Sequence, residues 1–274
     1  MSTGVTGAPL LRGGVRSAAP LAVSINTFRE AVRDRVLYNL IFFALLMIGA
    51  AILVGQISIG IERLVIINLG LSAISLIGLV MAIFIGVGLV SKEMEKRTLY
   101  SLLARPIHRW EFLVGKYAGL VLTLVVNTCL MTLGLAAALF YVGRPFLGTD
   151  ALIVVAVYFI LLQLALVTAL ALFFSCFSSP MLSTLFTLGI YITGSLAGDI
   201  REFGDLTKNP GVKVFTRIIY YLVPNFHNFN VTAAAAHGEK IPLLLIGQNT
   251  LYAVLYVALL LVAASAVFSS RNLK

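Results

Sequence analysis

Long apolar runs alternate with short polar segments from about residue 36 to the end of the chain. A helix that crosses the hydrocarbon core of a bilayer needs about 20 apolar residues. Six runs approach or exceed that length, and they lie at about 36–56, 64–90, 116–142, 151–176, 180–198 and 243–268. The fifth run is the shortest and holds three glycines, which weaken a helix. We therefore expect an all-α polytopic membrane protein with six transmembrane helices, the fifth of them broken or stopping short of the far surface.

Residues 20–35, which precede the first run, predict a helix of a different kind. Leu21, Ile25 and Phe28 recur at three- and four-residue spacing and form an apolar stripe. The residues between them include Arg29, Glu30 and Arg33. This pattern is typical of an amphipathic helix that lies in the membrane interface. The alternative is a helix packed on a soluble domain, but the chain contains no segment that would form one.

The segment between the fifth and sixth runs, 199–242, is too long to be a simple turn, so we expect it to contain structure. Asn209 followed by Pro210 is typical of an N-cap with proline at the first helical position. We predict a helix over 210–222 that dips into or lies on the outer interface.

Composition and charge agree with a membrane location. The chain has 274 residues, of which 60% are hydrophobic and 11% charged, against about 25% charged in soluble domains. The net charge of +9 would suit nucleic acid, but most of the 20 Lys and Arg residues flank apolar runs on the side of the N-terminus. The positive-inside rule then predicts that both termini are cytoplasmic, in a multi-pass protein of the plasma (inner) membrane. We expect residues 1–19 to be a flexible cytoplasmic tail and 20–274 to form a single transmembrane domain.

The loop between the second and third runs, 91–116, is the most heavily charged loop of the chain. Glu93 precedes Arg97 by four residues, the favourable order for an ion pair within a helix. Leu99, Leu102 and Leu103 add an apolar patch, and a short helix with charges and exposed leucines suits docking into a groove of another protein. A solvated loop that binds lipid phosphates is the alternative, and composition alone does not separate the two.

The segment 92–116 resembles the inner loop of type 2 ABC transporter permeases. In that family a Glu-rich turn precedes Thr-Leu, a Pro-Ile-Ser/His-Arg step follows, and Gly-Lys opens the third span. The matching residues here are Glu93, Glu95, Thr98-Leu99, Pro106-Ile107-His108-Arg109 and Gly115-Lys116. Residues 28–35 and 220–225 are similar to the family's interface helix and to its segment before the last span. Within the family, the layout is similar to the six-span permeases that serve nitrous oxide reductase maturation.

This resemblance implies the permease subunit of an ATP-driven transporter, an exporter rather than an importer. The loop after the second span would be a coupling helix that contacts a separate cytoplasmic ATPase subunit. By position, the coupling residues would be Glu93, Glu95, Arg97, Thr98 and Arg105. A second permease copy, identical or related, would complete the membrane unit, and ATP and Mg would bind to the partner subunit.

The residues themselves agree that the energy source lies elsewhere. Gly115-Lys116 is followed by Tyr117, so the chain lacks the P-loop pattern that cradles phosphates, and we expect no enzyme activity and no cofactor in this chain. The central parts of the six runs contain no Asp, Glu, Lys, Arg or His, which argues against ion-coupled transport. Polar residues in the spans could line a pathway or form interhelical hydrogen bonds; they include Asn68, Ser72, Asn127 and Gln163.

Other chemistries find little support in the sequence. His227 and His237 have no Cys or carboxylate at ligand spacing, so we expect no metal site. The Gly194 and Gly198 pair, four residues apart, favours close helix packing over a serine nucleophile at Ser195. The main alternative to a transporter is a membrane scaffold or assembly factor that recruits a cytoplasmic partner.

Overall fold

The structure, a computed structural model, describes residues 19–31, 42–47, 49–50, 53, 62–95, 109–141, 151–207 and 209–270. The α-helices with defined bounds are α1 (Ala19–Ala31), α2 (Glu62–Glu95), α3 (Arg109–Tyr141), α4 (Ala151–Ser175), α5 (Pro180–Ser195), α6 (Ala197–Leu206), α7 (Pro210–Leu222), α8 (Thr232–His237) and α9 (Leu243–Ser270). A 3₁₀ turn at His227–Phe229 precedes α8. No β-strand occurs in these ranges, so the described part of the protein is all-α, as the sequence predicts.

Helices α2, α3 and α4 form the centre of the bundle. A Cβ on Gly78 of α2 would lie 2.6 Å from the Leu164 side chain of α4, and one on Gly86 would lie 2.8 Å from Ala171. Glycines eight residues apart lie on one face of a helix, so α2 and α4 approach closely along much of their length. Helix α3 runs antiparallel to α2, and the side chain of its Asn127 reaches Met81 of α2.

The bundle has two ends that differ in structure. At the loop end, α2 finishes at Glu95, α3 begins at Arg109, and the turn 176–179 joins α4 to α5. At the hairpin end, α4 and α9 begin, and α6 and α7 form a helical hairpin. The buried cluster of Leu113, Cys176 and Ala264 packs α3, the end of α4 and α9 together at the loop end.

Helix α5 stops within the bundle instead of continuing to its full depth. Leu196 interrupts the helix, and the axes of α5 and α6 differ by 55°. Helix α6 leads away, and α7 returns antiparallel to it, with Gly204 of α6 packed on Thr216 of α7. The predicted fifth span, 180–198, therefore extends three residues beyond the helix that forms there, because the chain bends at Leu196.

Four described helices are long and apolar enough to cross a membrane, and the count rises to five if α5 and α6 are taken as one broken span. The four are α2, α3, α4 and α9, which correspond to the second, third, fourth and sixth predicted spans. The first predicted span, 36–56, lies mostly outside the described residues, although residues 42–47 within it are helical. The multi-pass character is thus present in the structure, and the number six stays a prediction.

Candidate functional site

The loop end carries the predicted coupling segment. Val87 of α2 accepts a hydrogen bond from the Ser175 hydroxyl at 3.4 Å, which places Val87 level with the end of α4. Helix α2 continues for eight more residues, to Glu95, and therefore projects about 12 Å past the end of α4. Glu93 and Glu95 lie in this projecting turn of helix.

The remainder of the predicted coupling segment cannot be placed in the same way. Arg97, Thr98 and Arg105 lie outside the described residues, as does the predicted coupling helix itself. The structure therefore brings Glu93 and Glu95 to one projecting helix end, and the coupling role of all five residues stays a prediction.

Helix α1 packs against the loop end of α3, and the contact uses small residues. A Cβ on Gly119 of α3 would lie 2.6 Å from the Ser24 carbonyl oxygen and 2.8 Å from Cβ of Thr27. Thr27 is buried, whereas Leu21 and Ile25 are exposed. The helix thus packs through its small polar side and leaves part of its apolar stripe uncovered, which suits a helix whose other side meets lipid.

The predicted interface residues are only partly described. Phe28 is half-buried and Arg29 is exposed on α1; Glu30 lies in the last turn of the helix. Arg33 lies outside the described residues. Lys116, next to this junction on α3, is buried with its Nζ 5.2 Å from the centre of the Phe112 ring.

The polar residues predicted as pathway candidates occupy different environments. Gln163 of α4 is buried, and its Nε2 donates to the Tyr191 hydroxyl of α5 at 3.0 Å and to the Ser75 hydroxyl of α2 at 3.5 Å. Asn127 is fully buried between Met81 and Met131, whose sulfur atoms lie 3.1 and 3.3 Å from Nδ2. Ser72 is exposed on α2 and Asn68 is half-buried. Gln163 and Asn127 thus make interhelical polar contacts, and a pathway role for the four stays a prediction.

Helix α7, the second helix of the hairpin, begins as the sequence predicts. The Asn209 side chain accepts a hydrogen bond from the Gly211 N–H at 2.9 Å, and α7 runs over Pro210–Leu222. This cap and these bounds confirm the helix predicted over 210–222. Charged residues link the two helices: Lys213 and Arg217 lie 3.4 and 3.9 Å from the Asp205 carboxylate.

The base of the hairpin is fastened to α5. The Phe226 N–H donates to the Gly194 carbonyl oxygen at 3.0 Å. Gly194 has no room for a side chain, because a Cβ there would meet the Pro224 carbonyl oxygen and the Phe226 ring. The rings of Tyr191 and Phe226 lie 5.2 Å apart, so the chain returning from α7 is held against the broken end of α5.

Three side chains of α9 hold the end of α7 and the segment that follows it by hydrogen bonds. The Tyr256 hydroxyl donates to the Leu222 carbonyl oxygen, the Asn225 N–H donates to the Tyr252 hydroxyl, and the Asn249 amide donates to the Asn228 carbonyl oxygen, each at 3.0 Å. We call these three α9 side chains the polar ladder. Residues 223–226 are not helical, and in a membrane such backbone must find partners within the protein. The ladder supplies a partner for the Asn225 N–H, and the Gly194 carbonyl oxygen supplies one for the Phe226 N–H.

Sequence reasoning missed the polar ladder and the α1–α3 junction. A signal for the ladder was present, because Asn249, Tyr252 and Tyr256 lie three and four residues apart on one face of an otherwise apolar run. The junction had no such signal, since Gly119 gains its meaning only when Ser24 and Thr27 pack on it. Among the described residues there is no group of three or more His, Cys, Asp and Glu side chains able to hold a metal ion.

Comparison with known proteins assigns a family to this arrangement. None of the curated proteins compared with the chain matches it. A family model described as "ABC-2 family transporter protein" matches residues 21–273, which is nearly the whole chain and includes every helix after the start of α1. Its extent agrees with the resemblance seen in the loop at 92–116. The chain belongs to the ABC-2 family of transporter proteins.

Proposed function

We propose that this protein is the membrane-spanning permease subunit of an ATP-driven exporter, in which a separate cytoplasmic ATPase subunit binds ATP and Mg. The family match supports a permease in general. The observation that supports coupling at the loop end is the projection of α2 about 12 Å past the end of α4, with Glu93 and Glu95 at its tip. A soluble partner that binds the projecting helix end and the charged loop after it would be able to transmit force to the bundle.

In this proposal both termini and the loop end face the cytoplasm of the cell, and the protein resides in the plasma membrane with six spans. Binding of ATP would close two ATPase subunits against the coupling residues Glu93, Glu95, Arg97, Thr98 and Arg105. The force would tilt α2 and α3 as rigid bodies, since these helices are about 50 Å long and tightly packed. Two permease copies would enclose the path, to which Asn68, Ser72, Asn127 and Gln163 would contribute polar groups.

Helix α1 would act with the coupling loop. Because its Ser24 and Thr27 pack on Gly119, a displacement of α1 would pass directly to the loop end of α3. Phe28, Arg29, Glu30 and Arg33 would then form the part of the interface helix nearest the ATPase. We regard the chain from residue 20 onward as one domain for this reason.

Co-purification tests this proposal. The chain is expressed together with a candidate P-loop ATPase subunit, and the pair is isolated through a tag on the chain. We expect a stable complex whose ATP hydrolysis exceeds that of the ATPase alone. Recovery of the chain without any ATPase, together with a different cytoplasmic partner, would favour the membrane scaffold instead.

A further inference from the structure

Helix lengths set the depth of the hairpin relative to the long helices of the bundle. Helices α4 and α5 meet at the turn 176–179, so their lengths are measured from one level. Helix α4 has 25 residues and α5 has 16, or about 37 and 24 Å, so α5 ends about 13 Å short of the start of α4. Helix α6 has 10 residues and leaves at 55°, which adds only about 9 Å along the same direction.

The polar ladder also places the base of the hairpin well short of the helix starts at this end. Tyr256, which holds Leu222 at the end of α7, is about 20 Å from the start of α9, a helix of 28 residues and about 42 Å. The base of the hairpin therefore lies about halfway through α9, and its tip stays below the start of α4. In a bilayer whose hydrocarbon core is about 30 Å thick, this depth would set the outside of the hairpin against the lipids of one leaflet.

The side of α7 that faces away from α6 is apolar and uncovered. Thr216 faces α6 and is buried, whereas Val214, Ile218 and Leu222 lie on the opposite side and are 59%, 56% and 72% exposed. Together with Arg217 and Tyr221 these three line a shallow, open groove along this one helix. Val214, Ile218 and Leu222 are spaced four residues apart, so they form a continuous apolar floor about 12 Å long.

The border of this groove carries a positive charge. Lys213 and Arg217 share a single carboxylate, that of Asp205, which leaves one positive charge in excess in this group of three. Tyr221 lies beside Arg217 on this side of α7 and is 74% exposed. An apolar floor with a cation and a tyrosine at its border is complementary to a molecule with an acyl chain and an anionic phosphate.

We propose that this side of α7 binds a phospholipid of the surrounding leaflet, with an acyl chain along Val214, Ile218 and Leu222 and the phosphate at Arg217. The bound lipid would seal the hairpin to the bilayer where α5 has ended early. The proposal requires only the hairpin and not an ATPase partner, so its failure would leave the proposed function standing, and the reverse is also true.

Fluorescence quenching tests the lipid contact. The only tryptophan, Trp110, is replaced by phenylalanine, and Ile218→Trp or Val214→Trp supplies a reporter in the full chain. The variants are placed in phosphatidylcholine vesicles with or without bromine atoms on the acyl chains. We expect strong quenching of both reporters by the brominated lipid and weak quenching by aqueous acrylamide. Glu239→Trp, exposed beyond α8, is the control and should respond in the opposite way.

Either of two results would overturn the proposal. Quenching of the α7 reporters by acrylamide alone would place this side of the hairpin in water. Quenching by neither reagent would mean that protein, such as a second copy of the chain, covers it. The use of two reporter positions guards against a single variant that fails to fold.

Native mass spectrometry tests the phosphate contact in the same chain. We expect Arg217→Ala to retain about two to five times less phospholipid after mild delipidation than the parent protein, the range typical of an exposed charge pair. Arg217→Lys should keep most of the lipid, because it keeps the charge. Lys240→Ala, a cation outside the hairpin, is the control. Equal retention by Arg217→Ala and the parent protein would refute a role for Arg217.

Discussion

The two ends of the bundle hold their accessory elements by different physical means. At the hairpin end, the chain that returns from α7 is fixed by directional hydrogen bonds from the polar ladder and by the Phe226 contact with Gly194. At the loop end, α1 packs on Gly119 by van der Waals contact of small groups. Directional hydrogen bonds fix a single arrangement, whereas close packing of small groups allows α1 and the start of α3 to move together. The comparison predicts that the hairpin end is held more rigidly than the loop end.

The largest effect is expected from Gly194→Ala at the hairpin end. The new methyl group would overlap the Pro224 carbonyl oxygen, a backbone atom that cannot rotate away, so we expect a loss of about 1–3 kcal/mol in the free energy of unfolding. Gly189→Ala is the matched control in the same helix, since no atom lies within 4 Å of its Cβ, and it should be neutral or stabilising. Denaturation by SDS in mixed micelles measures both. Equal stability of the two variants would contradict the fixed hairpin base.

A smaller effect is expected from Gly119→Ala at the loop end. The added Cβ would press on Ser24 and Thr27, and α1 would move away at a cost of about 1–2 kcal/mol while the bundle stays folded. Hydrogen exchange should therefore accelerate in α1 and remain unchanged in α4. Gly88→Ala, with open space around its Cβ, should leave the exchange of α1 as it was. Global unfolding in place of a local change in α1 would contradict the expected difference between the two ends.

Tyr252→Phe tests the hairpin end further, because it removes one hydrogen bond of the polar ladder. The Asn225 N–H loses its acceptor while the ring packing of Tyr252 on Tyr256 remains. Side-chain hydrogen bonds within membranes contribute about 0.6 kcal/mol on average, so exchange of the Asn225 amide should accelerate about threefold. Tyr141→Phe, at an exposed position, is the control. An unchanged Asn225 amide would show that the ladder does not hold this segment.

The smallest effect is expected from Asp205→Asn at the hairpin tip. Its ion pairs with Lys213 and Arg217 involve side chains that are about half exposed, and such pairs contribute about 0.2–1 kcal/mol. We expect a slight decrease in thermal stability at low salt that disappears at high salt, because mobile ions screen exposed charges. A large loss of stability that is independent of salt would mean that these charges are buried in the assembled protein.

The sequence predicted which segments form helices better than it predicted how deep each helix lies in the bundle. The run lengths predicted α2, α3, α4 and α9, and the Asn209-Pro210 pair predicted where α7 begins, because local chemistry decides both. The glycines of the fifth run indicated a break without locating it. The position of that break follows from Pro224 and Phe226 packing on Gly194, a contact between residues about 30 apart in the chain that no periodicity reveals.

The candidate site was likewise predictable only in part. Glu93 and Glu95 could be named from the resemblance of one loop, and the structure places their backbone on a projecting helix end. The groove on α7 could not be foreseen as a lipid site, because the pattern of α7 gives its apolar side and not its depth in the bilayer. The depth of α7 follows only from the lengths of α4, α5 and α9 and from the contacts that hold these helices side by side.

ATP hydrolysis by the purified complex tests the central claim most directly. The rate is compared for the ATPase with the parent chain and for the ATPase with the chain that carries Glu93→Ala and Arg97→Ala, at equal expression. Glu239→Ala, a carboxylate at the hairpin end, is the control and should keep the full stimulation. We predict that the double variant loses most of the stimulation, because in the proposed mechanism the projecting end of α2 and the loop after it transmit the force. Full stimulation by the double variant would contradict coupling through this end of the bundle.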